Sequence, residues 1–257
     1  MSAKILAVAN QKGGVGKTTT TVNLAASLAA RGQRVLVIDL DPQGNATTGS
    51  GIDKATIEQG VYQVLLGDAD IETAAVKSEH GGYDVLAANR ALAGAEVELV
   101  QEIAREMRLK NALAPVADRY DFVLLDCPPS LTLLTLNGLV AANGVIVPML
   151  CEYYALEGIS DLIATVRKIR QAINPHLYIA GIVRTMYDSR SRLVVEVSGQ
   201  LEQHFGKLLF QTTIPRNIRL AEAPSHGMPA LSYDPSAKGT QAYLELADEL
   251  LQRIKAA

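Results

Sequence analysis

Residues 5–32 read ILAVANQKGGVGKTTTTVNLAASLAARG, and this stretch indicates the class of architecture. It opens with a short apolar run from Ile5, continues through a glycine-rich loop and ends in a helical pattern that Gly32 stops. A glycine-rich turn between a strand and a helix presents backbone N–H groups to an anion at the positive end of the helix dipole. We therefore expect this loop to bind phosphate.

Further apolar runs of the same kind follow along the chain, and uninterrupted runs suit parallel strands that are covered on both faces. They are VLVID from Val35, YDVLAA from Tyr83, FVLLD from Phe122, VIVPML from Val145 and YIAGIV from Tyr178. Helical patterns lie between them, among them one that opens on Ser160 and stops before Pro175, and a tail from Ser236. The alternation predicts an α/β fold, a doubly wound and mostly parallel sheet flanked by helices, in a single domain over 1–257.

Composition limits the classes of function. The chain has 257 residues, is 48% hydrophobic and carries a formal net charge of -3, so any contact with DNA has to come from a local basic patch. Its two cysteines, Cys127 and Cys151, lie in apolar surroundings without CxxC spacing. We expect buried free thiols in a reducing compartment, and neither a disulfide framework nor a zinc site.

The N-terminal apolar run is too short for a secretory signal, so we expect a cytoplasmic protein. Pro128 to Cys151 carries no charge and is long enough to span a membrane. Two Asn-Gly pairs and Pro148 interrupt it, however, and this favours a buried helix followed by a buried strand.

The loop contains two lysines. Gly16, Lys17 and Thr18 form the GKT of a P-loop, in which the lysine reaches the β and γ phosphates and the hydroxyl binds Mg²⁺. Gln11 stands where the usual G-x-x-x-x-G-K-[ST] pattern has its first glycine, so the simple pattern fails by one residue. The second lysine, Lys12, has no role in that pattern.

Carboxylates follow two of the predicted strands, at the edge where open α/β sheets bind ligands. Asp39 and Asp41 come at the end of the second strand, and Asp126 ends the apolar run FVLLD in the form of a Walker B site. Hydroxyl, carboxylate and phosphate oxygens are hard ligands, so the expected metal is Mg²⁺, held by Thr18, Asp41 and Asp126. Asp39 is expected in the outer shell of the metal.

The sequence K-G-G-V-G-K-T from Lys12 resembles the deviant Walker A P-loop of the ParA/MinD ATPases. The resemblance implies that Lys12 is the signature lysine, which reaches the nucleotide of the partner subunit in an ATP-dependent homodimer. It also implies that Lys12, Lys17 and Asp41 are catalytic, with Asp41 positioning the attacking water. The loop residues implied to hold ATP are Lys12, Gly13, Gly14, Val15, Gly16, Lys17, Thr18 and Thr19.

The segment from Ile214 to Gly227, IPRNIRLAEAPSHG, is similar to one found in the chromosomal ParA, or Soj, branch. The resemblance implies that Pro215 and Asn217 line the adenine pocket. The block CEYYALEG resembles a family segment near the dimer interface, which makes Glu152 a neighbour of the signature lysine or, alternatively, an exposed loop acid.

The ParA branch uses its switch to bind DNA without sequence preference. From Arg184 to Arg219 the bases are Arg184, Arg190, Arg192, Lys207, Arg216 and Arg219, against Asp188, Glu196 and Glu202. The resemblance selects Arg190 and Arg219 as phosphate contacts, unless this is merely a solvated basic surface. It further implies a ParB-type centromere-binding partner, a nucleoid location and a role in chromosome or plasmid segregation.

Three alternatives stay open. MinD relatives bind a membrane through a C-terminal amphipathic helix, but the tail here has more acids than bases and lacks Trp and Phe, so we expect it to pack on its own domain. Relatives of the nitrogenase iron protein need cluster-bridging cysteines, which Cys127 and Cys151 do not resemble. A nucleotide-sensing module without hydrolysis should lack Asp41.

Overall fold

The computed structural model describes residues 3–256. Over that part of the chain the strands are β1 (Lys4–Val8), β2 (Val35–Asp39), β3 (Val76–Lys77), β4 (Asp84–Leu86), β5 (Phe122–Asp126), β6 (Gly144–Leu150), β7 (Tyr178–Tyr187) and β8 (Leu209–Pro215). The helices are α1 (Lys17–Ala30), α2 (Asn45–Gly49), α3 (Val61–Leu66), α4 (Ile71–Ala74), α5 (Leu92–Glu98), α6 (Arg108–Leu113), α7 (Leu133–Ala141), α8 (Ala155–Ala172), α9 (Arg192–Phe205), α10 (Ile218–Glu222), α11 (Ala230–Tyr233) and α12 (Lys238–Ala256).

All strands join one sheet in the order β3-β4-β2-β5-β1-β6-β7-β8. Each pairing is parallel except that of β3 with β4, so the predicted fold class is confirmed. Val8 and Asp39 both pair in register with Asp126. The carboxyl ends of β1, β2 and β5 therefore meet at one edge of the sheet, directly below the glycine-rich loop.

The central strands form because their side chains are apolar on both faces. Every residue of β2 and β5 is buried. Leu36 and Ile38 of β2 contribute to the core on one face, whereas Val35 and Val37 contribute to the core on the other. A strand buried on both sides lacks the polar alternation of a half-exposed strand, as the sequence predicted.

The uncharged stretch from Pro128 to Cys151 forms α7 and β6, which confirms the predicted helix and strand. Within residues 3–256 no helix is both long enough and apolar enough to cross a bilayer. Both cysteines are buried free thiols. Burial raises the pKa of each thiol, that of Cys151 to about 11.

Helix α8 begins five residues before the predicted start, because Ala155 N–H already bonds to Glu152 O. Ser160, expected to open the helix, lies inside it and donates its hydroxyl to Leu156 O at 2.8 Å. Strand β8 was not predicted either. Its sequence, LFQTTIP, has three polar residues in the middle, and β8 lies at the edge of the sheet, where such residues are tolerated.

Helix α12 packs on α1 and β8 through buried Tyr243, Leu246 and Leu250, which confirms that the tail packs on its own domain. It also covers the free edge of β8. The carboxylate of Glu249 accepts from the N–H groups of Gln211 and Thr212, each at 2.9 Å. One turn later Arg253 donates to Leu209 O, so side chains of α12 satisfy the outer peptide groups of the edge strand.

Candidate functional site

The glycine-rich loop leads from β1 into α1 with two glycines in the left-handed region, Gly14 at φ 71° and Gly16 at φ 85°. Gly16 is the residue before the helix and has no side chain to cap the first-turn N–H groups. The side chain of Asn10 frames the start of the loop, since it donates to Pro148 O at 2.8 Å and accepts from Lys12 N at 2.9 Å. The loop is therefore built to offer N–H groups to an anion.

Lys17 is the lysine inside the pocket. It is only 8% exposed, and its Nζ donates to Lys12 O at 3.1 Å, which closes the loop around the ammonium. Burial lowers the pKa of Lys17, and the nearby Asp126, Cys127 and Asp41 oppose that shift. The ammonium thus lies close to the carboxylates at the strand ends, where phosphate oxygens would supply further negative charge.

Lys12 has the opposite environment. Its ammonium forms an ion pair with the Glu152 carboxylate, which follows β6, and each side chain is 51% exposed. The two residues that the family resemblance brought together are in contact in the structure. Glu152 holds the lysine at the outer rim of the loop, away from the pocket that Lys17 fills.

Asp126 lies at the floor of the site and is 1% exposed. Thr18 Oγ1 donates to one carboxylate oxygen at 2.7 Å, and Thr21 Oγ1 donates to the other at 2.9 Å. Burial raises the pKa of Asp126, the neighbouring Asp39 raises it further, and the two hydroxyl groups oppose the rise. A cation beside this carboxylate would relieve the cost of keeping it charged.

Asp39 is fully buried, and both of its carboxylate oxygens accept hydrogen bonds. One oxygen accepts from Thr47 N and Thr47 Oγ1, both at 2.8 Å, and the other accepts from Asp41 N at 3.1 Å. Its place in the outer shell of the metal stays a prediction. The contacts in the structure tie Asp39 to the loop that carries Asp41, so Asp39 also positions that loop.

Asp41 itself is partly exposed and accepts from Gln43 N at 2.9 Å, which starts a tight turn into α2. Gly44 ends the turn at φ 63°, and a Cβ there would lie 2.6 Å from Ala88 O. Only glycine fits this position, because any other side chain would be both strained and in collision with backbone. The turn therefore fixes Asp41 next to the phosphate loop.

The oxygen atoms at this edge suit Mg²⁺. Thr18 and Asp126 already lie in contact, Asp41 is near, and all of them are hard ligands. Within residues 3–256 no group of three or more His, Cys, Asp and Glu side chains could hold a metal ion. A bound Mg²⁺ would therefore take its remaining ligands from water and phosphate oxygens, as Mg²⁺ commonly does.

A cavity of about 440 Å³ opens beside Gly16 and Thr19. Its walls are mostly apolar and include Pro215 and Asn217, the two residues implied to line an adenine pocket. Asn217 also caps α10, since its side-chain oxygen accepts from Arg219 N at 2.9 Å. The cavity and the loop together form a site with an apolar end and an anion-binding end.

The expected DNA-binding arginines are both exposed, and both have acidic partners. Arg190 pairs with Asp188 at 2.8 Å, and Arg219 pairs with Glu222 at 2.8 Å and Asp234 at 3.3 Å. We counted Arg184 among the bases of this patch, and that prediction is wrong because the side chain is buried. It is 8% exposed and donates to Ser198 Oγ and Phe210 O. Five exposed bases against three acids then leave a formal +2.

Several residues that build the site were not predicted from the sequence. Asn10, Thr21, Thr47 and Thr185 each hold a loop or a carboxylate through one side chain. Thr21 had a usable signal, because it lies three positions after Thr18 and so shares its face of the helix. Thr185 had none, since its partner Val15 lies 170 positions away. Thr47 lies only eight positions after Asp39, but it belongs to no motif that would single it out.

Comparisons with known proteins agree with this geometry. A family model described as an AAA domain matches residues 3–179. The chain is 52% identical to the sporulation initiation inhibitor protein Soj of Bacillus subtilis over 247 residues, which cover 96% of this chain and 98% of that protein. It is 49% identical to the chromosome partitioning protein ParA of Caulobacter vibrioides over 252 residues, which cover 97% and 94%.

A solved structure is similar over nearly the whole chain. It is that of cobyrinic acid a,c-diamide synthase from Mycobacterium smegmatis with a bound ATP analogue and magnesium. The TM-score is 0.86 and the identity 41%, with 98% of this chain and 96% of that chain covered.

Proposed function

The chain belongs to the ParA/Soj family of P-loop ATPases, and we propose that it works as an ATP-dependent switch on DNA. It is a Mg²⁺-dependent ATPase of the chromosome-partitioning kind. In the proposed cycle two copies close around ATP, the dimer binds DNA without sequence preference, and hydrolysis releases it. We also propose that residues 1–257 form a single P-loop ATPase domain.

The environment of Lys12 carries the proposal. Each copy has one lysine buried in its own pocket and a second, exposed lysine that Glu152 keeps at the rim. A cation at the rim can reach phosphates that belong to another molecule. By analogy with an arginine finger supplied in trans, such a charge accelerates phosphoryl transfer roughly a thousandfold or more. Dimerisation and hydrolysis would thereby depend on the same residue.

The other residues have separate tasks in this scheme. Lys17 and the N–H groups from Gly13 to Thr19 bind the β and γ phosphates, and Thr18, Asp41 and Asp126 hold Mg²⁺, which neutralises phosphate charge when bound. Asp41 also positions the attacking water. Pro215 and Asn217 contact the adenine, and Glu152 supports the exposed Lys12 until the second triphosphate replaces it.

DNA binding is proposed for the face that carries Arg190 and Arg219. Each arginine would exchange an exposed ion pair for a contact with a DNA phosphate, and exposed pairs are worth little, so the exchange costs little. The binding should weaken steeply with salt. A ParB-type partner that stimulates hydrolysis, and a location on the nucleoid in the cytoplasm, belong to the same proposal.

A gel shift with duplex DNA of arbitrary sequence tests the proposal. We expect retention with Mg-ATP, little with ADP or without nucleotide, and a steep loss as salt rises. Arg219→Glu should reduce retention about tenfold without affecting ATP binding, because it replaces an attraction to phosphate by a repulsion. Lys110→Glu, at an exposed base on α6, is the matched control and should behave as the wild type.

Retention that does not depend on ATP would contradict the switch. Equal retention by Arg219→Glu and Lys110→Glu would contradict the proposed DNA-binding face. Co-sedimentation with anionic liposomes in place of DNA retention would favour the MinD-like membrane alternative.

A further inference from the structure

One side chain of strand β7 contacts the phosphate loop. Thr185 is 3% exposed, and its hydroxyl oxygen lies 2.8 Å from Val15 O and 3.1 Å from Met149 O. A hydroxyl has one proton, so it donates mainly to the nearer carbonyl and shares the remainder with the other. The Thr185 side chain thus joins the loop to the ends of β6 and β7.

This contact fixes the direction of a backbone donor. The peptide between Val15 and Gly16 is planar and trans, so its C=O and N–H groups point in opposite directions. When Thr185 holds Val15 O toward β7, the Gly16 N–H has to face away from β7. Gly16 has φ 85° and few conformational restraints of its own, and therefore depends on a neighbour for its orientation.

The methyl group of Thr185 lies beside Gly16. A Cβ built on Gly16 would lie 3.7 Å from Thr185 Cγ2, which is an ordinary packing distance. The next residue, Met186, adopts φ 48° and lines the cavity beside the loop. The end of β7 therefore contacts both the phosphate-binding loop and the apolar cavity.

We propose that Thr185 is a positioning residue for the triphosphate: its hydroxyl holds the Val15 carbonyl so that the Gly16 N–H faces the bound phosphates. The inference rests on the proposed ATP site and adds a residue to it. The Thr185 hydroxyl is buried and directed at two backbone carbonyl oxygens, so it acts through the loop.

Thr185→Val removes the hydroxyl and keeps the shape. Because a hydrogen bond of this kind contributes up to about tenfold, we expect the KM for ATP to rise about tenfold, with kcat changed by less than about threefold. Thr185→Ser keeps the hydroxyl and should restore KM to within about threefold of the wild type. A purely structural role would not separate KM from kcat in this way, nor be rescued by serine.

Thr240→Val is the matched control. Thr240 is also buried, and its hydroxyl donates to Asp234 O at 2.8 Å in the first turn of α12. This variant should lower the melting temperature as Thr185→Val does, but leave the KM for ATP unchanged. Should Thr185→Val fail to fold, Thr185→Ala introduces no added bulk and carries the same expectation.

A folded Thr185→Val or Thr185→Ala protein with the KM of the wild type would overturn the inference. So would a KM for Thr185→Ser as high as that for Thr185→Val. The proposed ATP site itself would be contradicted if the wild type bound no ATP, or if Lys17→Ala bound ATP as tightly as the wild type. The two failures are therefore distinguishable.

Discussion

Lys12 and Lys17 belong to one loop, yet the fold places them in opposite electrostatic surroundings. Lys17 is buried among Asp126, Cys127 and Asp41, whereas Lys12 is exposed and paired with Glu152. The difference arises because Lys17 begins α1 and points into the site, while Lys12 precedes the two glycines that turn the chain. Lys12 and Lys17 can therefore have different functions although they lie in the same loop.

Separate substitutions should divide these functions. Lys17→Ala should weaken ATP binding about tenfold to a hundredfold, since it removes a charged hydrogen-bond donor from the phosphates. Lys12→Ala should leave ATP binding by the single subunit within about threefold, but reduce steady-state hydrolysis roughly a thousandfold. Fluorescence titration with a labelled ATP analogue and phosphate release measure the two quantities.

Lys4→Ala, at the exposed start of β1, is the control and should match the wild type in both measurements. A Lys12→Ala protein that loses ATP binding as severely as Lys17→Ala would show that Lys12 serves its own pocket.

At the level of secondary structure, α12 and β8 stabilise each other through polar contacts as well as apolar packing. Glu249 accepts two backbone N–H groups of the edge strand, and the Arg253 guanidinium lies 4.3 Å from the centre of the Phe210 ring. Burial raises the pKa of Glu249, but hydrogen bonds from the N–H groups of Thr212 and Gln211, together with those from the side chains of Thr212 and Arg253, lower it overall. The carboxylate is therefore part of what keeps the edge covered.

Glu249→Gln should lower the free energy of unfolding at pH 7 by about 1–2 kcal/mol, because an amide offers one acceptor oxygen where the carboxylate offers two. The folded pKa of Glu249 is lowered, so its stabilisation is present above the unfolded value, about 4.3, and is lost as pH falls through the folded value. Urea unfolding should show that the difference in free energy of unfolding between the variant and the wild type is smaller below pH 4 than at pH 7.

Glu245→Gln, an exposed position one turn earlier on α12, should unfold as the wild type at both pH values. A Glu249→Gln defect that stays constant from pH 7 to pH 3 would contradict the assigned role of the carboxylate.

At the level of the whole molecule, the sheet order brings distant segments to one edge. Strand β1 lies between β5 and β6, so the loop after β1 meets Asp126 on one side and Glu152 on the other. In the proposed dimer, the exposed Lys12 is the cation that this edge offers to a second copy. Closure of two copies, edge to edge, would then bring each Lys12 to the other triphosphate.

Asp41→Ala should separate closure from hydrolysis. Since Asp41 is proposed to position the water and a group of this kind contributes about a hundredfold or more to rate, hydrolysis should fall by that factor while ATP stays bound. In sedimentation velocity with Mg-ATP the variant should accumulate as a dimer, whereas the wild type should return to monomer as ATP is consumed.

Asp68→Ala, at an exposed turn after α3, is the control and should behave as the wild type. An Asp41→Ala protein that binds ATP but sediments only as a monomer would contradict closure around the nucleotide.

Local sequence was enough to predict the α/β class, the strand, loop and helix around Lys17, the acidic strand ends at Asp41 and Asp126, and the packing of the C-terminal helix. These features depend on local periodicity or on short motifs. Periodicity and motifs can be recognised within a short stretch of sequence. The strand order, the burial of Arg184 and the contacts of Lys12 and Thr185 could be seen only in the folded chain. The physical reason is separation along the chain: Lys12 meets Glu152 across 140 positions and Thr185 meets Val15 across 170, and only the crossovers of the folded sheet bring such pairs together.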